Sequence, residues 1–509
     1  MPANVAACRF SMTRILILTL LLGGFSLSAA AQSSFTTLVT FEGTNGNGPF
    51  APLIQGSDGN FYGTTCCGGA TGYGVVFQVN SVGTLNVLYN FCSQANCADG
   101  ESPWGGLVQA QDGSFYGTTL YGGANNCGTV FNLTSTGTLT TVVNFDCNSS
   151  TGGYPYAGLL LGKDGNLYGS TSYSAVNGST VFRLTLNGEL TVLHTFCQYS
   201  DNCSDGLGAA SVLVQDANGT LYGSTQSGGG PNGSGTVFKI TPDGTETVLH
   251  SFCIDSNCSD GARPNAVLLG SDGNIYGTTY GGGNDFAGTV FTISSVGQFN
   301  TLYQFSPQSQ TGDVHPSNPY AGLIQATDGN FYGTTYVSNT SAGTAYSITP
   351  AGVLTLLHNF ASTEGEFPQS SLIQGADGNF YGTAAMGGDM SCAEGSSFGC
   401  GTVFSLTATA SGKKAATTTT LISSANPSKY RQLVKFTATV GGGSKGAPQG
   451  KITFKSGRAT LGTATLNASG QAVLNVSTLT VGAHSVVASY AGNSKYLASQ
   501  STAMTQTVR

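Results

Sequence analysis

The chain has 509 residues, of which 8% are charged and 75 are glycine; Lys+Arg 17 against Asp+Glu 24 gives a formal net charge of -7. No Lys/Arg run or basic patch occurs, which excludes a nucleic-acid footprint. Thr, Ser, Asn and Gly, interleaved with Val, Leu, Phe and Tyr, stand where charge would be, a mixture suited to strands and tight turns.

The N-terminus reads as a secretory signal over residues 1–31. Arg9 and Arg14 supply a positive region, residues 15–22 an apolar one, and Ala29-Ala30-Ala31 a small-residue cleavage site before Gln32. Met12 is an alternative start. The apolar run is too short to favour spanning a bilayer. No cysteine follows it to carry a lipid, no later stretch is long enough to cross, and the chain ends at Arg509 without a hydrophobic tail. A secreted or surface-exposed monomer with no membrane span after signal removal is expected.

An octapeptide, Asp58-Gly59-Asn60-Phe61-Tyr62-Gly63-Thr64-Thr65, then recurs around Tyr116, Tyr168, Tyr222, Tyr276, Tyr332 and Tyr381, at spacings of 54, 52, 54, 54, 56 and 49 residues. A fixed period of this size means one structural unit in tandem. In the second copy, 106–109 is a short apolar run and Asp112-Gly113 matches a type I′ hairpin. Segments 115–119, 128–133 and 139–145 supply three further strands. Four short antiparallel strands per period predict a propeller blade. The last copy stops after its third strand, 401–406, while Phe35-Thr36-Thr37-Leu38-Val39-Thr40-Phe41 aligns with the fourth strand at 190–196. The N-terminal strand is therefore expected to complete the seventh blade, burying Phe35, Leu38 and Phe41 and leaving no open sheet edge. The predicted fold is all-β: a seven-bladed propeller over 32–408, a linker at 409–416 and a second unit at 417–509. In that unit, segments 433–440, 450–454, 460–466, 471–476 and 482–490 alternate as strands, which suggests an immunoglobulin-like sandwich without cysteine.

Twelve cysteines follow the signal, an even number in an exported chain, which implies disulfides. Cys92/Cys97, Cys197/Cys203 and Cys253/Cys258 recur after the phenylalanines that end strands, and Cys392/Cys400 closes another local loop. Zinc competes as a reading of paired cysteines, but no nearby histidine completes a set. Cys127 and Cys147 flank a hairpin and could face each other. Cys66-Cys67 is then a vicinal bridge or a pair of free thiols.

The repeats resemble the GloVer tandem repeat of exported bacterial proteins. The resemblance rests on Gly322-Leu323-Ile324-Gln325, Asp328-Gly329-Asn330-Phe331-Tyr332-Gly333-Thr334-Thr335, Gly235-Thr236-Val237-Phe238 and Leu354-Thr355-Leu356-Leu357-His358-Asn359-Phe360. It covers about 34–407. The octapeptide is also similar to the Asp-Gly-Asn-Leu-Trp blades of two-component-regulator propellers. Thr417-Thr418-Thr419-Thr420-Leu421, Asn426-Pro427-Ser428 and Gly482-Ala483-His484-Ser485 resemble the bacterial Ig-like repeat domain. The resemblance implies export and surface placement, and brings no catalytic residue or cofactor.

Asp58, Asp112, Asp164, Asp216, Asp272, Asp328 and Asp377 could be calcium ligands, but Asp-Gly serves a turn and one acid per repeat makes no oxygen cluster. His194, His250 and His358 share a strand position with Tyr89 and Tyr303, which points to packing. Asp99/Glu101 and Glu364/Glu366 are the close carboxylate pairs, both in variable loops, and no nucleophile elbow or phosphate loop occurs. The connectors carry a Gly-x-x-Pro pattern, followed or interrupted by Trp104, Tyr154, Tyr156 and Tyr320. A rigid loop face with aromatics suits glycan or peptide binding, although each ring could equally pack between blades. The expected function is an exported, non-enzymatic binding or scaffolding protein for a polysaccharide or surface protein, with no metal or cofactor. The alternative is a propeller lyase or hydrolase with two carboxylates at a central channel.

Overall fold

The computed structural model describes residues 33–172, 178–198, 203–209, 211–230, 233–307, 314–338, 342–392, 398–407, 417–442, 448–457, 459–492 and 496–509. The predicted signal and linker lie outside them. Among the described residues the regular structure is β-strand, with one 3-10 turn at Ala95–Cys97.

Seven four-stranded antiparallel sheets follow one another. The second is typical: Val108–Gln109, Phe115–Thr119, Thr129–Leu133 and Leu139–Asn144. Its first strand is only two residues long, and Trp104, Gly105 and Gly106 before it line a cavity. The seventh sheet takes Ile373–Gln374, Phe380–Ala384 and Thr402–Thr407 from its own repeat and Ser34–Thr40 from the other end of the chain. Phe35 pairs with Leu406 and Thr40 with Thr402, as the alignment with later fourth strands predicts.

The alternation along this strand departs from expectation. A bulge between Thr37 and Val39 inserts one residue, which flips the faces beyond it. Val39 and Phe41 are buried, at 7% and 0% exposure, and Phe35 is half-buried against Phe404. Leu38, expected on that face, is the bulged residue and is only partly buried. The same bulge recurs in the fourth strands of the other sheets, where Leu193, for example, is skipped between Val192 and His194.

The octapeptide turn also differs from the type I′ prediction. Gly113 N donates to Ala110 O at 3.0 Å and Ala110 N to Ser114 O at 2.8 Å. Only Gly113 of the Asp-Gly pair takes a positive φ, +86°. This is a three-residue loop with its glycine in the left-handed region. Asp58 then accepts from Asn60 N (3.1 Å), Asn60 Nδ2 (2.7 Å) and the Tyr62 hydroxyl (2.8 Å). The acids at 164, 272, 328 and 377 do the same. In the fourth copy Asn218 occupies the turn position, and Asp216, two residues earlier, accepts from Tyr222 at 3.3 Å. Gly63 faces the Phe77 ring, whose Cζ would lie 2.6 Å from an added Cβ.

Each sheet grips the next. Thr64, Thr118, Ser224, Thr278 and Thr334 hydroxyls donate to carbonyls leading into the following sheet, and Thr383 of the seventh donates to Ala51 O before the first, at 3.1 Å. Ser57 N reaches Gln109 Oε1 from first sheet to second, and Ala376 N reaches Gln55 Oε1 from seventh to first, both at 2.9 Å. Tyr381 stacks on Phe61 as Tyr332 does on Phe380, at centroid distances of 3.9 and 4.1 Å.

Residues 417–509 form two further sheets. Thr417–Ser423, Val434–Gly442 and Gln471–Val476 make one. Ala459–Thr465, Lys451–Ser456, Gly482–Tyr490, Ser499–Gln500 and Met504–Val508 make the other. Phe436, Ile452, Phe454, Val486 and Tyr490 share one core between them, which holds without a disulfide, as expected.

Candidate binding site

Six of the seven sheets of the repeat region are entered through a short segment after a connector proline, which belongs to a Gly-x-x-Pro pattern in five of them. Proline pre-sets φ and cannot donate to a ladder, which stiffens the chain there; in the fifth sheet Pro264 lies within the paired strand Ala262–Leu269. Segments from all seven sheets line one cavity of about 120 Å³. The residue after the proline is Phe50, Trp104, Tyr156, Asn265, Tyr320 and Gln369 in six of them. Phe50 stacks on Trp104 with centroids 4.3 Å apart and planes 6° apart, and Trp104 lies 5.2 Å from Tyr156. Burial and the neighbouring Tyr320 hydroxyl push the Tyr156 hydroxyl pKa up. Asn265 spends both amide hydrogens, on Thr278 Oγ1 (3.1 Å) and Pro319 O (2.6 Å).

Of the four predicted binding residues, the structure therefore brings together Trp104, Tyr156 and Tyr320. Tyr154 is elsewhere: it precedes Pro155 with φ +56° and packs edge-on against Tyr121, 5.7 Å away. Phe50, Asn265 and Gln369 were missed, although the offset from proline marks them. No Asp, Glu, His, Lys or Arg lines the cavity among the described residues. The two-carboxylate arrangement of a glycosidase thus has no residues there.

The acids near the connectors have another task. Asp99 is fully buried and accepts from the Tyr89 hydroxyl (2.8 Å), Ser93 N (2.9 Å), Ser93 Oγ (2.9 Å) and Gln94 N (3.2 Å). His194 meets Asp205 at 3.3 Å, His250 meets Asp260 at 2.9 Å, and His358 meets Glu364 at 3.0 Å. Asp205, Asp260 and Glu364 also accept the backbone N–H of Cys197, Cys253 and Ala361. At Tyr89, His194, His250 and His358 the shared His/Tyr position is thus a hydrogen-bond latch on the acid that precedes the connector glycine, more specific than the packing expected. Burial holds the His194 and His358 imidazoles below their ordinary pKa, against the opposing pull of the acid.

Cys92–Cys97, Cys127–Cys147, Cys197–Cys203, Cys253–Cys258 and Cys392–Cys400 are bonded as the sequence pairs them. Cys66 and Cys67 are free, with Cys66 buried. Among the described residues the one cluster of metal-ligand type is Cys92, Cys97 and Glu101, and its two sulfurs are spent on their own bond. No helix among the described residues is long and apolar enough to cross a membrane.

No curated protein matches the chain. Among solved structures it is similar to a dipeptidyl peptidase 4 from Porphyromonas gingivalis, at 8% identity, 68% of this chain, 57% of that one and TM-score 0.32. It is similar to a PL25 ulvan lyase bound to -[GlcA(1-4)Rha3S]-, at 8% identity, 78% and 92% coverage and TM-score 0.35. It is also similar to a GH43 beta-1,3-galactosidase, at 9% identity, 73% and 94% coverage and TM-score 0.31. The chain spans little over half of the peptidase's length, and likeness at these scores assigns no activity. The family models are decisive: the Gloeobacter/Verrucomicrobia repeat matches residues 23–208 and 198–395, and the bacterial Ig-like domain (group 3) matches residues 418–509. The chain belongs to the Gloeobacter/Verrucomicrobia repeat family and carries a bacterial Ig-like domain after its repeats.

Proposed function

We propose that the seven sheets are blades of a propeller clasped by the N-terminal strand, and that the protein is an exported binding or scaffolding protein acting at the cell surface. The grip of the seventh sheet on the first supports the ring. Five disulfides support an extracellular location, since such bonds persist in oxidising compartments. The Ig-like unit serves as spacer or attachment.

The observation that carries the binding reading is the cavity shared by all seven sheets, with four aromatic rings at one structural position and no acid or base beside them among the described residues. Aromatic walls with a few polar groups are what ligand sites use. At about 120 Å³ the cavity is smaller than the roughly 300–1,000 Å³ of sites that enclose a whole ligand. It therefore takes one protruding group of a glycan or protein partner. Retention of the purified protein on polysaccharides or cell-wall fractions, lost in Trp104→Ala and Tyr320→Ala, tests this. Turnover of any of those materials would overturn the non-enzymatic part.

A further inference from the structure

We infer that the central cavity takes a neutral pyranose ring at the end of a glycan chain and rejects anionic sugars. This rests on reading the cavity as the binding site. Its rim is Phe50, Trp104, Tyr156, Asn265, Tyr320 and Gln369. The aromatic rings offer apolar surface to the C–H face of a sugar. The polar groups between them are neutral amides and hydroxyls. Asn265 has already given both amide hydrogens away, which leaves its Oδ1 to accept from a sugar hydroxyl. Gln369 makes no hydrogen bond to a described residue and is half-buried, so its amide can both donate and accept. The Tyr156 and Tyr320 hydroxyls are hydrogen-bonded to each other, which leaves one of their two protons to donate and lone pairs on both oxygens to accept.

The specificity follows from charge. No Lys or Arg among the described lining residues can pair with a uronate or sulfate, and a charge brought into such a site unpaired is heavily penalised. No carboxylate there can pair with an ammonium group either. A neutral ring loses no ionic hydration and finds partners for its hydroxyls, so discrimination comes from the penalty on the wrong ligand. The cavity volume of about 120 Å³ suits one ring rather than a run of them.

Trp104 is the only tryptophan in the chain, so its fluorescence reports on this cavity alone. The full chain is titrated with methyl hexopyranosides, with methyl glucuronide and with a sulfated hexoside. Neutral hexosides should shift the Trp104 emission and saturate. The charged pair should bind at least tenfold more weakly. Gln369→Ala should weaken the neutral response severalfold with an unchanged melting temperature, and Tyr156→Phe, which keeps the ring, should weaken it by removing the hydroxyl alone. Equal responses to neutral and charged sugars would overturn the inference. So would no response to any sugar in a protein that still binds cell-wall fractions in a Trp104→Ala-insensitive way, and there the broader binding function would survive. Cell-wall retention lost in Trp104→Ala, with no response to free sugars, would instead assign the cavity to a protein partner and also refute the sugar.

Discussion

Glu246 is an anomaly that gives the sharpest stability test. It opens the fourth strand of the fourth sheet, Glu246–Ser251, opposite Ile240. The equivalent residue elsewhere is Leu85, Leu139, Leu190, Phe299 or Leu354, and Phe35 in the seventh sheet. An acid stands where six sheets place an apolar side chain, and its Oε1 is buried without a hydrogen-bond partner. Burial first, and Asp205 second, raise the carboxyl from its ordinary 4.5 to about 7. A shift of that size is about 3 kcal/mol for a fully desolvated group. Glu246 is only half-buried, and water screening cuts this to about 1–2 kcal/mol. Leucine adds about 1 kcal/mol of apolar burial, so Glu246→Leu should stabilise by about 2–3 kcal/mol at pH 8. Because the folded carboxyl holds its proton more tightly than the unfolded one, the ionic part is absent below 4.5, grows as pH rises and is complete above about 7. Thermal melts at pH 4.5, 6 and 8 should show a gain that widens with pH, and Glu246→Gln should recover only the widening part. A gain identical at all three values, or a loss, would refute the reasoning.

Removal of residues 33–41 exposes the seventh sheet's edge and forfeits the burial of Val39 and Phe41. At about 4–5 kcal/mol for the strand, the repeat region should melt about 5 °C lower, whereas removal of residues 417–509 should leave its melting temperature unchanged; equal effects would sink the clasp. Asp99→Ala strands the Tyr89 hydroxyl and two backbone amides and should cost about 2–3 kcal/mol in urea unfolding, with Glu101→Ala near neutral. Since burial lowers the His358 pKa, the folded protein binds fewer protons than the unfolded, and stability falls as pH drops from about 6.5 through the folded value. His358→Tyr, the residue found at Tyr89 and Tyr303, should remove that part of the acid sensitivity, and an unchanged pH profile would refute the burial-lowered His358 pKa. Peptide mapping of exported protein without reduction should recover the five local bridges; free thiols at Cys92 and Cys97 would contradict the structure.

Most of the architecture is legible because a tandem repeat states every local decision seven times. Asp-Gly marks the turn, Gly63 and its equivalents mark where an aromatic ring crosses the strand, and the unfinished last copy points to Ser34–Thr40. The departures share a cause. A β-bulge leaves no residue-type signature in a strand such as Thr36-Thr37-Leu38-Val39, where either parity presents an apolar residue, so Leu38 and Val39 exchange roles. The Asp-Gly pair is equally compatible with a two-residue and a three-residue loop. The choice is made by the carboxylate of Asp58, which binds Asn60 and Tyr62 ahead of it and holds its own φ negative.

The site is legible to the extent that it is aromatic. Trp104, Tyr156 and Tyr320 stand out by type, while Asn265 and Gln369 occupy the same place and look like ordinary loop residues. Tyr154 shows why type alone misleads: two positions earlier, on the other side of the proline, its ring turns to Tyr121 instead of the cavity. What decides is the offset from proline, and the reason is physical. The octapeptide acids are consumed by their own turns, and most of its hydroxyls by the neighbouring sheet or their own. Four acids before connector glycines are consumed by Tyr89 and the histidines. The residue after each connector proline is largely spared these duties, Asn265 being the exception. Six copies place it around one cavity, so otherwise similar units can differ there without disturbing a turn or a sheet contact. The largest variation in side-chain chemistry around this cavity is therefore concentrated in one column of the repeat.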